Sequence, residues 1–303
     1  LDMEPLACSL RNRSEHWGID VLGAYQSISI HADDALIYLR DPTRSLPPLM
    51  DLLEACGWIS GLRVNWSKSC VFPLHHIPAT QRTHPPIGDL DWEYESFKYL
   101  GIVVYYLEQD VIEGNIQRAL RAMRGSMRFW TFLALSPLGR VSLCKMLLLP
   151  RLLYDFSALP IALPKKLFDD IHSMMGDLIW GAGGHRIVLS KLHSPIDSGG
   201  MGVPNFEMYY AAAQLQWPTH WLASPTSHEG THIKKLVGTT GVYGWLSSHR
   251  TAAQNESCLL KTARKCWLRY VKGREGKSPY SPLLPLISIP TIQKIQRDHD
   301  LIL

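Results

Sequence analysis

Two adjacent carboxylates, Asp33 and Asp34, stand between two alternating apolar stretches, Tyr25–Ile30 and Ala35–Leu39. The alternation predicts a β-hairpin with the aspartates at its tip. Carboxylate oxygens are ligands that hard cations such as Mg²⁺ prefer, and phosphoryl transfer uses paired ions to hold the attacking and leaving oxygens. The same pair also suits an ordinary turn, in which the side chains accept hydrogen bonds from nearby amides. A metal site and a plain turn are therefore the two interpretations.

A basic stretch follows from 117 to 151, with seven Lys or Arg residues and no Asp or Glu. Its first four arginines recur at spacings of three, three and four, which places them on one face of a helix. Such a face suits a phosphate backbone, whose affinity for proteins comes largely from Lys and Arg. A solvated helix face is the alternative, but its usual acidic partners four residues away are absent. The candidate nucleic-acid-binding residues are Arg118, Arg121, Arg124, Arg128 and, further on, Arg140.

Two shorter segments carry weaker signals. The stretch Gly61–Lys68 predicts a strand ending in a lysine, and an ammonium near a metal-bound phosphate can neutralise or protonate a leaving group. A solvated lysine is the alternative. The second segment places aromatic and basic residues before a glycine, which also suits an ordinary strand edge and turn. It consists of Phe97, Lys98, Tyr99, Leu100 and Gly101.

The elements that must position these residues predict an α+β fold. The first 110 residues mix strands and helices, and apolar residues at three- and four-residue spacing predict a helix at Ser45–Cys56. Strands are predicted at Leu62–Phe72 and near Phe97–Tyr106, separated by a Pro- and His-rich loop. From 110 onwards helices dominate. They are predicted at Val111–Leu133, Ser136–Tyr154, Pro164–Trp180 and Phe206–His220.

Composition limits the class of protein. The chain has 303 residues, 46% of them hydrophobic, and a formal net charge of +4, so it can form substantial cores and its overall charge does not by itself indicate a nucleic-acid partner. Six scattered cysteines without a CxxC pair indicate a reducing compartment. We find no signal peptide and no membrane-length apolar run, and we expect an intracellular location in the nucleus or cytoplasm. His75, His76 and His84 fit a surface loop better than a metal site.

Several motifs in this order resemble the reverse transcriptases of non-LTR, LINE-type retrotransposons over about residues 4–220. The matching segments are Ile30–Leu39, Gly61–Ser69, Phe97–Ile102, Pro137–Arg140, Leu149–Tyr154, Ile179–Trp180, Arg186 and Gly199–Phe206. The resemblance implies the C-terminal part of a polymerase palm at 1–108, including the primer-grip hairpin. It implies a helical thumb at 109–180 and a mostly helical connector at 181–303.

The resemblance also implies roles for individual residues. Asp33 and Asp34 correspond to catalytic metal-binding carboxylates for Mg²⁺, with Asp33 the more important, and Lys68 is expected near the phosphates of the incoming dNTP. Phe97–Gly101 corresponds to the primer grip. The resemblance implies that four arginines on one helix face, here called the arginine stripe, contact the RNA template and DNA primer. They are Arg118, Arg121, Arg124 and Arg128. No membrane partner is expected.

The sequence also departs from the family pattern. The family needs a further metal-binding aspartate on an earlier strand, and the chain begins after the point where it is expected. Because phosphoryl transfer depends on positioning, we expect the isolated chain to be inactive. His31 replaces the usual aromatic residue and introduces a titratable group. A non-catalytic nucleic-acid-binding remnant is the main alternative function, and a metal-dependent nuclease has only the aspartate pair in its favour.

Overall fold

A computed structural model gives an α+β fold, as predicted. It describes residues 3–13, 17–21, 24–82, 90–130, 132–181, 187–223, 233, 237, 242, 245–246 and 257–272. The chain divides into two compact units, Leu1–Leu107 and Glu108–Leu303, here called unit 1 and unit 2. Palm, thumb and connector remain predictions for parts of these units. The predicted loop residue His84 and the motif residue Arg186 lie outside the described residues.

In the described part of unit 1, short strands combine with a short and a long helix. The strands pair as β1–β2, β3–β4 and β7–β8, all antiparallel, whereas β5 and β6 pair in parallel. The elements are α1 (Glu4–Arg11), β1 (Ile19–Val21), β2 (Ala24–Gln26), β3 (Ile28–His31), β4 (Asp34–Ile37), α2 (Pro42–Ser60), a 3₁₀ turn (Trp66–Lys68), β5 (Cys70–Val71), a second 3₁₀ turn (Ala79–Gln81), β6 (Asp91–Trp92), β7 (Ser96–Tyr99) and β8 (Ile102–Tyr105).

The hairpin that carries the aspartate pair is confirmed, although its strands are shorter than predicted. In β3–β4, Ile28 lies opposite Ile37 and His31 lies opposite Asp34. The predicted first strand began at Tyr25, but this residue belongs to β2 and pairs with Asp20. Ser27, between β2 and β3, is buried, and its carbonyl accepts a hydrogen bond from the amide of Tyr38 just after β4.

Helix α2 is longer than predicted because its start and stop signals lie outside the apolar repeat. Asp41 caps the N-terminus by accepting a hydrogen bond from the amide of Arg44, and Pro42 occupies the first turn. At the other end, Gly61 takes the left-handed conformation (φ 75°) and its amide donates to the carbonyl of Gly57. Only glycine adopts this conformation without steric cost, so the helix ends there.

The predicted strand at Leu62–Phe72 is wrong over most of its length. Only Cys70 and Val71 are extended and paired, while Trp66–Lys68 form a 3₁₀ turn. The local hydrogen bonds explain the difference. The carbonyl of Asn65 accepts from the amide of Lys68 and from the hydroxyl of Ser69, so this backbone is satisfied without a partner strand.

An apolar cluster holds the helices of unit 1 and the β3–β4 hairpin in place. Leucines of α1 and α2 meet Leu90, and Ile28 and Ile37 of the hairpin, Trp66 of the 3₁₀ turn and Val71 of β5 pack against them. The buried leucines are Leu6, Leu10, Leu46, Leu49 and Leu90. An isolated two-stranded hairpin is marginally stable in water, so this packing is what fixes β3–β4. The carboxylates and Lys68 are thereby attached to one core.

Unit 2 is built from helices, three of which run into π-helical segments with i→i+5 hydrogen bonds. The elements are α3 (Glu108–Val111), a π segment (Ile112–Gln117), α4 (Arg118–Trp130), α5 (Pro137–Leu143), a π segment (Cys144–Leu148), α6 (Leu149–Ala158), α7 (Lys165–Trp180), α8 (Leu189–His193), a 3₁₀ turn (Ile196–Ser198), α9 (Phe206–Ala223), α10 (Cys258–Cys266) and a final π segment (Trp267–Lys272).

The predicted helices of unit 2 are present, with the boundaries set by caps. Ser136 accepts a hydrogen bond from the amide of Gly139 and starts α5, as the Ser-Pro signal predicts. The core centres on Phe156, which is fully buried and meets the ring of Tyr210 edge-on at 5.5 Å. The side chain of Gln214 donates to the carbonyl of Phe156 and so caps the end of α6. Among the described residues, no helix is long and apolar enough to cross a membrane.

Candidate nucleic-acid and metal site

The aspartate pair lies at a strained two-residue turn, with Asp33 in the turn and Asp34 as the first residue of β4. Ala32 and Asp33 connect β3 to β4, and Ala32 has a φ of 54°. A positive φ at the first of the two turn residues, without one at the second, is typical of type II′ hairpins. Glycine usually occupies that first position. His31, Asp33 and Asp34 are all exposed, so both carboxylates are accessible to a ligand.

An open cleft in unit 1 brings together three of the predicted segments. Asp33, Asp34, Lys68 and Tyr99 all line this cleft, whose volume is about 1880 Å³. Its lining runs over much of unit 1, from Met3 to Leu100. These residues are separated by up to 66 positions in the sequence. The leucine cluster holds the elements of Asp33, Asp34 and Lys68, and the ring contact of Phe97 with Phe72 holds the hairpin of Tyr99.

The two hairpins influence each other through their polar groups. Partial burial raises the pKa of Tyr99, and the nearby Tyr38 and Asp34 raise it further. The hydroxyl of Tyr38 also lies 3.3 Å from the hydroxyl of Ser29 on the paired strand. The sequence analysis gives Tyr38 no role, although this residue follows Asp34 by four positions in an alternating stretch. The phenol of Tyr99 therefore stays protonated at neutral pH and can donate a hydrogen bond in the cleft.

Lys68 lies at the end of a 3₁₀ turn rather than at the end of a strand, which corrects the predicted position. Its side chain is exposed. The turn is anchored by Asn65, whose side-chain oxygen accepts a hydrogen bond from Ser67 at 2.8 Å. Trp66 packs into the core between these polar residues and fixes the turn. An exposed ammonium on a fixed turn is suited to contact a phosphate.

The second hairpin, β7–β8, confirms the predicted strand pair at Phe97–Tyr106. Its turn residues, Leu100 and Gly101, both have positive φ (47° and 83°), as in type I′ turns. Phe97 is half-buried and its ring lies 4.7 Å from that of Phe72, which in turn stacks on Tyr106 at 4.8 Å. Lys98 is exposed. Phe97 therefore holds the hairpin against the unit, while Lys98 remains available.

The donor chemistry at the hairpin tip fits Mg²⁺ in part. This cation is commonly held by one or two carboxylates, with waters and substrate phosphates completing the shell. Asp33 and Asp34 can supply such oxygens. Within the described ranges, no cluster of three or more His, Cys, Asp or Glu side chains is placed to hold a metal. The pair thus fits a substrate-assisted Mg²⁺ site better than a closed protein cage.

In unit 2 the arginine stripe lies on the outer face of an amphipathic helix. Ile116, Leu120, Met123 and Met127 are buried on one side, and all four arginines of the stripe are exposed on the other. Since α4 was predicted from this periodicity, the face on which the arginines lie agrees with the prediction. Their contact with nucleic acid remains a prediction.

The stripe is not free of acidic partners, and this corrects the sequence argument. Arg121 forms an ion pair with Glu113, which lies eight residues earlier on the π segment. Burial raises the pKa of Asp155 on α6, whereas the nearby positive charge of Arg118 lowers that pKa. Both acids fall outside the acid-free stretch. A π segment rotates less per residue than an α-helix, which brings Glu113 into line with Arg121 two turns later.

Arg140 has a structural role that sets it apart from the stripe. It is half-buried, and its guanidinium donates to the carbonyl of Leu178 at 3.0 Å, with a longer contact to Ile179 at 3.5 Å. Both carbonyls belong to the last turn of α7, where helix carbonyls have no acceptor role within the helix itself and a cation is stabilising. We therefore leave Arg140 out of the candidate interface.

The glycine-rich motif Gly199–Phe206 is explained by packing rather than by a ligand. A Cβ on Gly200 would lie 2.0 Å from the carbonyl oxygen of Ser194, and Gly202 has a φ of 62°. The amide of Val203 donates to Leu192, and its carbonyl bonds to a ring nitrogen of His193 at 2.9 Å. The motif folds a tight connection between α8 and α9.

Comparison with known proteins gives one relationship at the level of sequence. Over 207 residues, which make up 67% of this chain, it is 25% identical to the Transposon TX1 uncharacterized 149 kDa protein of Xenopus laevis. The matched chain spans 15% of the length of that relative. No protein-family profile matches the chain. The chain is thus similar to a protein encoded by a transposon.

Proposed function

We propose that this chain is part of the RNA-directed DNA polymerase of a non-LTR retrotransposon. The observation that carries the proposal is the cleft of unit 1, whose lining includes Asp33, Asp34, Lys68 and Phe97–Leu100 from separate segments. The sequence similarity to a transposon-encoded protein supports the same conclusion.

Each group in the cleft has a function in phosphoryl transfer. Mg²⁺, when bound, would stabilise the negative charge that develops on the reacting phosphate. Asp33 and Asp34 would hold it through exposed carboxylate oxygens. Lys68 would neutralise charge on the phosphates of the dNTP, and β7–β8 would position the primer end. Positioning and charge stabilisation account for most of the catalysis in this reaction class.

The test is Mg²⁺-dependent extension of a DNA primer on an RNA template. The chain is joined to an upstream polymerase segment that carries the further aspartate. Asp33→Ala should lower the extension rate by about a hundredfold or more, because a preorganised electrostatic stabiliser is lost. Asp51→Ala is the matched control, since Asp51 is an exposed carboxylate of α2 outside the cleft. Extension that survives Asp33→Ala would falsify the proposed role of the pair.

A non-catalytic nucleic-acid-binding module is the second candidate. The observation that favours it is that no third metal-ligating side chain joins the aspartates in the described parts of the chain. Under this function, the chain binds RNA or DNA through the stripe and never extends a primer, even with the upstream segment present.

Charge-neutralising variants of the stripe measure its contribution to binding under either function. Arg124→Gln with Arg128→Gln should weaken RNA and DNA binding and reduce the salt dependence by about two phosphate contacts. Arg140→Gln removes one positive charge, from the cap of α7, and is the control for losing an arginine outside the stripe. It should lower stability by about 1–2 kcal/mol and leave affinity unchanged. Equal losses of affinity in the two proteins would argue against an interface on α4.

A further inference from the structure

Two phenylalanines beside the arginine stripe are unusually exposed. Phe129 in the last turn of α4 is 70% exposed, and Phe132 just beyond it is 87% exposed. In the same unit, Phe156 and Phe168 are 0% and 3% exposed. A buried phenylalanine contributes about 1.5–3 kcal/mol relative to an exposed one, so leaving two rings in water forgoes a large stabilisation. Such exposure on a basic surface calls for a ligand.

The helix places one of these rings in line with the stripe. Arg121, Gly125 and Phe129 recur every four residues and so lie along one ridge of α4. A Cβ added at Gly125 would meet no atom within 4 Å, so the ridge is bare between the arginine and the ring. The ridge from Arg121 to Phe129 measures about 12 Å at 1.5 Å per residue.

The second ring continues beyond the helix. The amide of Phe132 donates to the carbonyl of Phe129 at 3.3 Å, and that of Leu133 donates to Trp130 at 3.1 Å. These bonds close a tight turn after α4. Phe132 therefore follows Phe129 by three residues, and almost all of its side chain faces solvent.

We propose that Phe129 and Phe132 form a base-stacking site for single-stranded nucleic acid, with Arg121, Arg124 and Arg128 contacting the phosphates. The inference rests on the proposed nucleic-acid function and specifies which form of nucleic acid this surface takes. Stacking on aromatic rings is tolerant of sequence and requires unpaired bases, whereas the bases of a duplex stack on one another. The charge of the neighbouring arginines favours a polyanion over an apolar protein surface as the occupant.

The test is the affinity of the 303-residue chain for a fluorescent twelve-residue oligothymidylate and for a duplex of the same length. Phe132→Ala should weaken single-strand binding about tenfold and change duplex binding by less than about twofold. Phe132→Tyr keeps a ring and should retain affinity, whereas Phe132→Leu keeps only apolar area and should not. Trp58→Ala is the matched control, because Trp58 is an aromatic residue of unit 1 that is 82% exposed.

The outcomes separate this inference from the function on which it rests. If Arg124→Gln with Arg128→Gln weakens binding to both oligonucleotides but Phe132→Ala weakens neither, the stacking site is overturned and the nucleic-acid function stands. An equal loss of single-strand and duplex binding in Phe132→Ala also overturns it. Self-association that is abolished by Phe132→Ala, with single-strand affinity unchanged, would identify the rings as a contact between copies of the chain and reject the proposal.

Discussion

At the scale of single residues, the two hairpins of the cleft carry backbone angles that side chains disfavour. Ala32 has a φ of 54° and Leu100 a φ of 47°, a region where non-glycine residues are uncommon. Such conformations persist only when surrounding structure imposes them, and they concentrate at functional sites. Here the two strained residues lie next to Asp33 and within the predicted primer grip.

The strain at Ala32 predicts that a smaller residue will stabilise the protein. Ala32→Gly should raise the free energy of unfolding by about 0.5 kcal/mol, because relief of about 1–2 kcal/mol of strain exceeds the added entropy of unfolded glycine. Urea denaturation followed by tryptophan fluorescence measures the change. Gly101→Ala is the reverse control, since Gly101 has a φ of 83°, and it should destabilise. A lower midpoint for Ala32→Gly would show that the turn is not strained.

The residue types predicted which side chains line the cleft, but they did not predict which acidic side chains lie near the arginine stripe. The aspartates, Lys68 and Tyr99 line one cleft. The acids near the stripe could not be predicted, because Glu113 reaches Arg121 only through a π segment and Asp155 lies on another helix. Spacing rules for a regular helix consider partners three and four residues away, so both contacts lie outside their scope.

At the scale of elements, the long helices and the two hairpins followed from periodicity and caps. The strand predicted at Leu62–Phe72 did not form, because Asn65 satisfies the local backbone in a 3₁₀ turn. The π segments were also missed. They preserve the apolar face of a helix while changing the number of residues per turn. The hydrophobic repeat used for prediction therefore does not distinguish a π segment from an α-helix.

The connection between α8 and α9 predicts a sharp difference between two neighbouring glycines. Gly200→Ala should cost about 3 kcal/mol or more, because its Cβ would lie 2.0 Å from the backbone oxygen of Ser194. Gly199→Ala should cost only about 1 kcal/mol, since its φ is 76° but no atom lies within 4 Å of a Cβ there. Thermal unfolding of the two variants measures the difference. Equal costs would show that backbone angle alone governs this segment.

At the scale of the whole molecule, each unit has its own apolar core, and the candidate functions are divided between them. Unit 1 holds the cleft on the leucine cluster of α1 and α2. Unit 2 presents its arginines on an amphipathic helix whose other face is buried. The net charge of the chain is only +4, although one helix carries four exposed arginines on its outer face. The sequence predicts this distribution because the arginines are close together along the chain.

The stability of the molecule should depend on pH through a histidine pair in unit 2. Burial lowers the pKa of His172, and so does His193, whose ring lies 5.5 Å away, while Glu207 and Asp169 oppose the shift. Because the folded protein then binds its proton less readily than the unfolded chain, stability should fall as pH drops below the ordinary histidine pKa of about 6.5.

The measurement is the unfolding midpoint at pH 7.5 and pH 5.5 for the wild type and His172→Gln. The wild type should lose about 0.5 kcal/mol more than the variant, a modest figure because the ring is partly exposed to solvent. Asp155 titrates in both proteins and cancels in the comparison. An identical pH dependence for both would rule out a contribution from His172.

The π segment at Ile112–Gln117 has a consequence for how this surface tolerates insertions and deletions. An i→i+5 turn holds one residue more than an α-turn, so deletion of one residue there would restore an ordinary helix without breaking it. With the deletion placed after Glu113, that residue would precede Arg121 by about seven positions, close to two turns of α-helix, so the two side chains would stay on one face. Removing one residue from this segment should therefore preserve both the ion pair and the buried face of α4.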